Sequence, residues 1–515
     1  MGDKTRLILF LAVLLLLVGL VSSESENSQY YNGVVNASEI LENISKGKPL
    51  VEYDHVIVNG DLDFRQLNGL NITHIIRTPD ELLMKVSENQ TEVKSFIRIK
   101  DSEIKGVVYM NDTLFWKPIN FGGSKFNGED KDGVSANFRG TTFNNGANFV
   151  GSSFKGTARF EDSKFDGDPD FTLSRFNRDA YFTSSAFKNP AKFWYSVFNG
   201  SADFIVSKFN REAYFGGSKF NSDASFMGSM FNGDTYFRDS MFNGDTYFRD
   251  SMFNGDADFK SSTFNNKVDF NESTFKNETY FDDANFVGEA RFYHSRFVGD
   301  ALFRNTTFSE PLDLTRAKYD KLYIKWTNIK KGLGYDQSAY QKLIENFKVL
   351  GYTTDVDKSY YEFRVEQFRH PDDPVRYFAD FIAWITYGFG KQPIFPLLWS
   401  IMFVLLFGFV WWEIDTGKSD WFGVNSMKQP DEYEYSSIEY VPISDRRWRN
   451  LLETFIFSAT VFLSGTRLFV DPPPVPALRG MSESLTKKLF IVERILGATF
   501  SVLFFLTLTG MILKT

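Results

Sequence analysis

Residues 231–253 read FNGDTYFRDSMFNGDTYFRDSMF, an eleven-residue unit that occurs twice in succession. The same spacing of phenylalanines extends over residues 138–308, in alternating steps of five and six residues, and includes 32 of the chain's 57 phenylalanines. A small residue lies two positions before each of these phenylalanines, and only Pro169 and Val268 break this rule. A fixed short repeat of this kind is typical of a solenoid, in which each unit packs only against its neighbours.

A small residue, a variable residue and a phenylalanine, followed by two linking residues, form the unit of the pentapeptide-repeat family, which residues 138–308 resemble closely. The resemblance implies a right-handed quadrilateral parallel β-helix, with four five-residue faces per coil and both the phenylalanine and the small residue pointing inward. Every second unit here has one extra residue, commonly in Asn-Gly-Asp, so we expect a β solenoid of about 22 residues per coil and seven or eight regular coils. The surplus residue is expected at a turn where Asn-Gly accepts a positive φ.

The inward phenylalanines are the structural candidates. Identical coils would align them in columns at favourable ring distances, which makes a dry aromatic core. The predicted ladder includes Phe143, Phe149, Phe154, Phe160, Phe231, Phe237, Phe242 and Phe253.

The first part of the chain resembles an exported protein. Lys4 and Arg6 precede an apolar run over residues 7–21 and then small, polar residues, which predicts a signal peptide over residues 1–23, with an uncleaved signal anchor as the alternative. Residues 24–137 are predicted to form a helical cap and irregular β-helix coils, with a polar loop at 127–137.

Nine Asn-x-Ser/Thr sequences precede the apolar tail and agree with an exported front part. The candidate glycosylation sites are Asn36, Asn43, Asn71, Asn89, Asn111, Asn199, Asn271, Asn277 and Asn305.

After the pentapeptide region (138–325), residues 334–390 are predicted to form a helical capping and connecting region, and residues 391–515 a transmembrane region. Residues 394–412 and 495–513 are uncharged and long enough to span a bilayer. Residues 451–470 are apolar but contain Glu453 and Arg467, so they are either a third span or a re-entrant segment.

The order span, half-buried loop, span resembles the pore module of two-transmembrane potassium channels. Residues 457–461 (FSATV) resemble its pore helix and filter, and residues 493–498 (ERILGA) resemble the start of its second span. The resemblance implies a pore loop with Thr460, Val461 and Gly465. A potassium filter needs two glycines to align its carbonyl rings, and residues 460–465 (TVFLSG) retain one of them, displaced, so the pore is expected to be degenerate.

Polar candidates on the repeat have ordinary explanations. Asp234, Asp256, Glu278 and Asp300 recur every 22 residues, with Glu212 one step before them. They indicate either a stripe that binds a divalent cation or a basic ligand, or carboxylates that accept backbone N–H groups at turns.

No catalytic set is recognisable. The chain has no cysteine, and His55, His74, His294 and His370 lack metal-ligand spacing. We therefore expect no enzyme activity, no cofactor and no metal.

Two classes of function remain. Residues 138–308 carry 19 basic and 22 acidic side chains, so the rod is not acidic enough to imitate DNA, and no nucleic-acid partner is expected. The first hypothesis is a multi-pass cell-membrane protein that presents an extracytoplasmic rod for scaffolding, adhesion or partner binding, in contact with lipid and with a protein or envelope partner. The second is an ion-channel-like or sensor protein whose repeat domain regulates the degenerate pore. Homo-oligomerisation through the transmembrane region is compatible with both.

Overall fold

The computed structural model describes residues 31–67, 90–329, 331–371, 373–418, 443–466, 470–473 and 483–509. The predicted signal peptide, Asn71, Asn89 and His74 lie outside these residues. The chain divides between Gly351 and Tyr352 into two compact units, which we call the rod and the helical unit.

Four parallel β-sheets form the sides of the rod, and the chain visits them in turn, so that neighbouring strands belong to successive coils. Sheet A has 12 strands from Gly33–Asn36 to Thr307–Phe308, and sheet B has 12 strands from Leu50–Asp54 to Leu322–Tyr323. Sheet C has 11 strands from Leu62–Asp63 to Leu312–Asp313, and sheet D has 10 strands from Thr91–Val93 to Arg296–Phe297.

One regular coil contains four two-residue strands. Met230–Phe231 lies in sheet D, Thr235–Tyr236 in sheet B, Met241–Phe242 in sheet A and Thr246–Tyr247 in sheet C. Met252–Phe253 then returns to sheet D and pairs with Met230–Phe231 at an offset of 22 residues, which confirms the predicted coil length. With about 12 coils spaced by the ordinary distance between strands, the rod is about 55 Å long.

The polar loop predicted at 127–137 has a measurable effect on the register. Lys125 pairs with Ser153, an offset of 28 residues instead of 22, and the coils on both sides of the insertion still stack in parallel. The solenoid therefore begins well before the regular repeat, at the strand Gly33–Asn36.

The predicted phenylalanine ladder fills the interior, and every one of its eight members is buried. The rings of Phe231 and Phe253 are parallel within 7° with centroids 4.8 Å apart, and those of Phe143 and Phe165 have the same separation. Between columns the rings meet edge to face, as for Phe226 and Phe237 at 5.2 Å. Both arrangements are favourable for aromatic quadrupoles.

The small residues have two different roles. In half of the steps the small residue is mostly serine, and its hydroxyl donates to the carbonyl of a phenylalanine 25 residues earlier, as from Ser240 to Phe215 at 2.7 Å. In the other steps it is most often alanine, as at Ala213 and Ala224, which lie fully buried. The serine column therefore links successive coils besides allowing the corner to close.

The explanation that we predicted for the Asn-Gly turn is wrong. Gly233, Gly244 and Gly255 are not among the glycines with positive φ. They are needed because a Cβ at Gly244 would lie 2.3 Å from the carbonyl carbon of Ser222 in the preceding coil. Positive φ occurs instead in the five-residue steps, two positions after a phenylalanine, as at Asp239 and Asp250.

Helices cover parts of the rod. Helix α1 (Ala37–Ser45) lies near the start of the rod and buries Ala37, Ile40, Leu41 and Ile44. Helix α2 (Gln337–Val349) lies at its other end, where the side-chain amide of Asn346 accepts from the backbone N–H of Leu322 and donates to its carbonyl, at 2.9 and 2.8 Å. Asn346 thus satisfies polar groups of the last sheet-B strand that would otherwise form an open edge.

The helical unit contains α3 (Thr353–Arg369), α4 (Pro374–Tyr387), α5 (Ile394–Lys418), α6 (Ile443–Leu463) and α7 (Glu483–Leu508). Two stretches, Ile394–Glu413 and Ser484–Leu508, are long and apolar enough to cross a membrane. The apolar part of α6, Leu451–Leu463, is about 20 Å long at the helical rise, shorter than a bilayer core of about 30 Å.

Candidate functional sites

An aromatic platform lies on the corner between sheets B and A. The rings of Trp194 and Tyr195 lie over Gly216 and Gly217 of the next coil. A Cβ at Gly216 would come within 2.1 Å of Trp194 Cζ3, and one at Gly217 within 2.4 Å of Tyr195 Cε1. The two glycines therefore provide the space that these rings occupy, and 61% of Tyr195 remains exposed.

The backbone of this corner is left-handed. Tyr195 and its neighbour in the preceding coil, Leu173, have φ values of 55° and 61°, yet they are 61% and 60% exposed. Most other left-handed positions of the rod carry Gly, Asp, Asn or Ser, such as Gly217, Asp239 and Asn305, but Val206, with φ of 55° and 56% exposure, shares the strained conformation at another corner. A bulky residue there costs about 1–2 kcal/mol. Neither side chain contributes to the core, and Val206 shows that strained, exposed residues also occur at another corner of the rod.

The platform continues along sheet B as a stack of rings. Trp194 stacks on Tyr214 and Tyr214 stacks on Tyr236, each pair with centroids 5.2 Å apart. The hydroxyl of Tyr236 donates to Asp234 at 3.4 Å. Burial and the nearby carboxylates Glu212 and Asp234 raise the pKa of Tyr214, so these hydroxyls remain donors at neutral pH.

The predicted acidic ladder lies beside this stack, with one carboxylate per coil. Asp234 accepts the backbone N–H of Asp256 at 2.9 Å, which supports the explanation by turn chemistry. The pKa of Asp256 is nevertheless raised by burial and by repulsion from Asp234 and Glu278.

Cations on this face are paired with other acids: Lys192 with Asp170, Arg238 with Asp258 and Arg304 with Asp282, at 3.9, 2.6 and 2.8 Å. Among the described residues, none of the five ladder carboxylates (Glu212, Asp234, Asp256, Glu278 and Asp300) has a cationic nitrogen within 4.0 Å. We call Trp194, Tyr195, Tyr214 and Tyr236 together with these five carboxylates the aromatic–acidic face.

One cluster of possible metal ligands, which contains a histidine, was not predicted from the sequence. Asp54, His55 and Asp101 bring one ligand atom each within 4.8 Å of one another, because the coil register places residues 54–55 beside residue 101. Lys100 Nζ already lies 2.8 Å from Asp101, and the three residues of the cluster are partly exposed. His294 occupies a left-handed corner, and His370 follows the last residue of α3.

The predicted glycosylation sites differ in their surroundings. Asn199 belongs to a ladder of asparagines, donating to Asn177 at 3.1 Å and accepting from Asn221 at 2.7 Å, so a glycan there would break two contacts. Asn43, Asn111, Asn271 and Asn305 also use their side chains in hydrogen bonds. Asn36 and Asn277 are exposed.

In the helical unit, the predicted pore-loop residues do not adopt an extended filter. Thr460 and Val461 lie in the last turn of α6, where the carbonyls of Thr460, Val461 and Phe462 accept hydrogen bonds from Ser464 and Gly465. Gly465 lies against α7, where a Cβ would come within 2.3 Å of the Arg494 carbonyl. These carbonyls are therefore not free to surround an ion, and the pore-module interpretation is not confirmed.

A buried carboxyl group lies beside these residues. Glu493 in α7 is fully buried, and its carboxyl accepts from Trp411 Nε1 of α5 at 2.8 Å and contacts Ser458 Oγ of α6. The sequence indicated it only as an acidic residue close to an apolar run, because its partners lie 82 and 35 residues away.

Comparison with known proteins agrees with the geometry of the rod. The family model described as Pentapeptide repeats matches nine copies, over residues 135–175, 193–241, 215–263, 237–284, 259–307 and 270–318. No curated protein and no solved structure matches the chain significantly. Residues 135–175 and 193–318 of the rod are therefore pentapeptide repeats, and they form a β-solenoid of 22 residues per coil; the match does not extend to the helical unit.

Proposed function

We propose that this chain is a non-enzymatic, membrane-anchored pentapeptide-repeat protein that presents its rod outside the cytoplasm and binds a basic protein partner through the aromatic–acidic face. The observation that carries the proposal is the exposed ring of Tyr195 at the start of the aromatic–acidic face, whose five carboxylates form no salt bridge among the described residues. Two apolar helices supply the anchor. The charged and apolar start of the chain and the Asn-x-Ser/Thr sequences support export.

The chemistry of the face favours Lys or Arg side chains on the partner. Carboxylates that form no salt bridge attract cations, although Lys260 already lies close enough to lower the pKa of Asp256. Exposed aromatic rings add cation–π attraction of about 0.5–1 kcal/mol each. The rod itself contains an example: Lys260 Nζ lies 3.7 Å from the ring centroid of Tyr280, on the same sheet. A rigid face with one carboxylate per coil would suit an extended basic segment that runs along the rod.

A binding experiment tests this assignment. Full-length protein in nanodiscs would be titrated with a fluorescent deca-arginine peptide and with a deca-glutamate peptide at two salt concentrations. We expect salt-dependent binding of deca-arginine alone, weakened about tenfold or more by the double substitution Trp194→Ala and Tyr195→Ala.

The matched control is Tyr247→Ala. Tyr247 lies on sheet C and also donates to an aspartate, Asp245, but it is outside the aromatic–acidic face. Equal affinity of the double variant and the wild type would refute the proposed binding face. If the double variant binds more weakly as expected, photo-crosslinking from position 195 in intact cells would identify the natural partner.

A second candidate, the channel-like or sensor protein, is favoured by one observation. The apolar part of α6 is too short to cross a bilayer and lies in sequence between two helices that are long enough. Ion flux through the full-length protein in liposomes tests this function. Flux that is abolished by Gly465→Val would support it, and a sealed membrane under K⁺, Na⁺ and Cl⁻ gradients would eliminate it.

A further inference from the structure

We infer that Glu493 is a proton-binding site, and that the helical unit is assembled around its neutral, protonated carboxyl group. The inference follows from the hydrogens available at the site. Ser458 has a single hydroxyl hydrogen but two acceptors within reach, the carbonyl of Val404 at 3.0 Å and the carboxyl of Glu493. An ionised carboxylate would take that hydrogen and leave the contact with Val404 without one.

A protonated carboxyl satisfies every contact. Glu493 then donates through Oε1 to Ser458 Oγ, Ser458 donates to the Val404 carbonyl, and Trp411 donates to Oε2. The chain of donors runs in one direction through α7, α6 and α5. The proton on Glu493 thereby completes a hydrogen-bond chain that links the three helices.

Apart from the Trp411 and Ser458 donors, the surroundings of the carboxyl group are apolar. Phe407, Trp411, Val461 and Phe490 form a buried cluster beside this carboxyl group, and an isolated charge in such a medium is very costly. Charged residues also occur on the helices that pack around this site. Arg494 points to the carbonyl of Ser464, and Arg376 and Asp380 of α4 pair at 3.9 Å. By sequence, the other charged residues of these helices are Glu413, Asp415 and Lys418 on α5, Asp445, Arg446, Arg447, Arg449 and Glu453 on α6, and Glu483, Lys487 and Lys488 on α7.

The site also has a defined position along the two apolar stretches. Trp411 is near the end of the apolar stretch Ile394–Glu413, and Glu493 is in the first half of Ser484–Leu508. Both therefore lie closer to one end of their apolar stretches, the C-terminal end of the first and the N-terminal end of the second. Loss of the proton would leave a carboxylate with two hydrogen-bond donors among three apolar helices and would loosen their packing.

Infrared difference spectroscopy of the full-length protein in nanodiscs tests the inference. At neutral pH we expect a C=O stretching band of a protonated carboxyl group that is lost in Glu493→Gln. The Ser458→Ala variant should shift that band to higher wavenumber, because the carboxyl loses its acceptor. Ser464→Ala is the control: Ser464 is equally buried and adjoins the end of the same helix, but it donates to the Val461 carbonyl and should leave the band unchanged.

A second readout concerns packing. The thermal midpoint of the helical unit should fall as the pH is raised in the wild type and should be independent of pH in Glu493→Gln. Identical wild-type and Glu493→Gln spectra in the carboxylic-acid region at neutral pH would overturn the inference. If Glu493→Gln does not fold, the wild type alone decides: a carboxylate spectrum that does not change between acidic and alkaline pH, together with a constant midpoint, would equally overturn it.

Discussion

Removal of one ring from the middle of the rod should destabilise the coils around it strongly and locally. Phe237 is fully buried, and its ring stacks between Phe215 at 4.8 Å and Phe259 at 5.1 Å. It also meets Phe226 and Phe248 edge to face at 5.2 and 5.3 Å. Phe237→Ala therefore removes a complete ring from a site with aromatic neighbours on all sides, and the identical coils above and below leave little freedom to close the cavity.

We expect a loss of about 4 kcal/mol, within the usual range of about 3–5 kcal/mol for a buried phenylalanine. That loss corresponds to about a thousandfold faster hydrogen exchange by opening of the affected coils. Since each coil contacts only its neighbours, peptides from residues 209–264 should change most and peptides near residue 100 least. Hydrogen exchange followed by mass spectrometry measures both quantities.

Two controls calibrate this experiment. Phe237→Leu fills most of the volume and should cost less than about 1.5 kcal/mol. Met241→Ala, on the outer surface of the same coil and 41% exposed, should have an effect within about 0.5 kcal/mol. Unchanged exchange in Phe237→Ala, or an equal increase along the whole rod, would refute the account of a column-stabilised solenoid.

Three further predictions concern the corners. Gly244→Ala should destabilise its coil severely, because the new Cβ would lie 2.3 Å from the backbone of Ser222. Gly146→Ala should be tolerated, because the atom nearest to its new Cβ lies 3.6 Å away, and denaturation midpoints of the two variants test this difference. Ser240→Ala should reduce the free energy of unfolding by about 1 kcal/mol. The cost is small because the Phe215 carbonyl still accepts the backbone N–H of Ser218 at 3.1 Å and is not left unpaired; a loss of more than about 3 kcal/mol would contradict this. The pKa of Asp256 is raised in the folded state by burial, Asp234 and Glu278, so the stability from its protonation is complete below about pH 3.9 and is lost as the pH rises through the folded value. Asp256→Asn should accordingly be more stable than the wild type at pH 7 and equal to it at low pH.

The repeat alone predicted most of the rod. Alternating steps of five and six residues were sufficient for the coil length of 22, and the polar run at 127–137 was recognisable as an insertion. The aromatic part of the proposed binding face could have been derived from the coil length, because Trp194 and Tyr195 lie 22 residues before Gly216 and Gly217. The regular phenylalanine spacing describes only the inward positions and gives no signal for these outward ones.

Other features could not be predicted from one sequence. The glycine of Asn-Gly-Asp has a backbone conformation that any residue could adopt, and only the approach of the preceding coil explains it. Glu493 acquires its partners from two helices distant in sequence, so its role depends on packing that no periodicity encodes. The pore-loop interpretation relied on a short local sequence similarity, whereas residues 460–463 are helical.

The most direct test of the proposed function is the side of the membrane on which the rod lies. The chain contains no cysteine, so Met241→Cys introduces a single thiol at an exposed position of the rod. Intact cells would be treated with a membrane-impermeant maleimide, and lysed cells would serve as the measure of complete labelling. We predict that Met241→Cys is labelled in intact cells as fully as after lysis. Labelling only after lysis would place the rod in the cytoplasm and contradict the proposed presentation to an external partner.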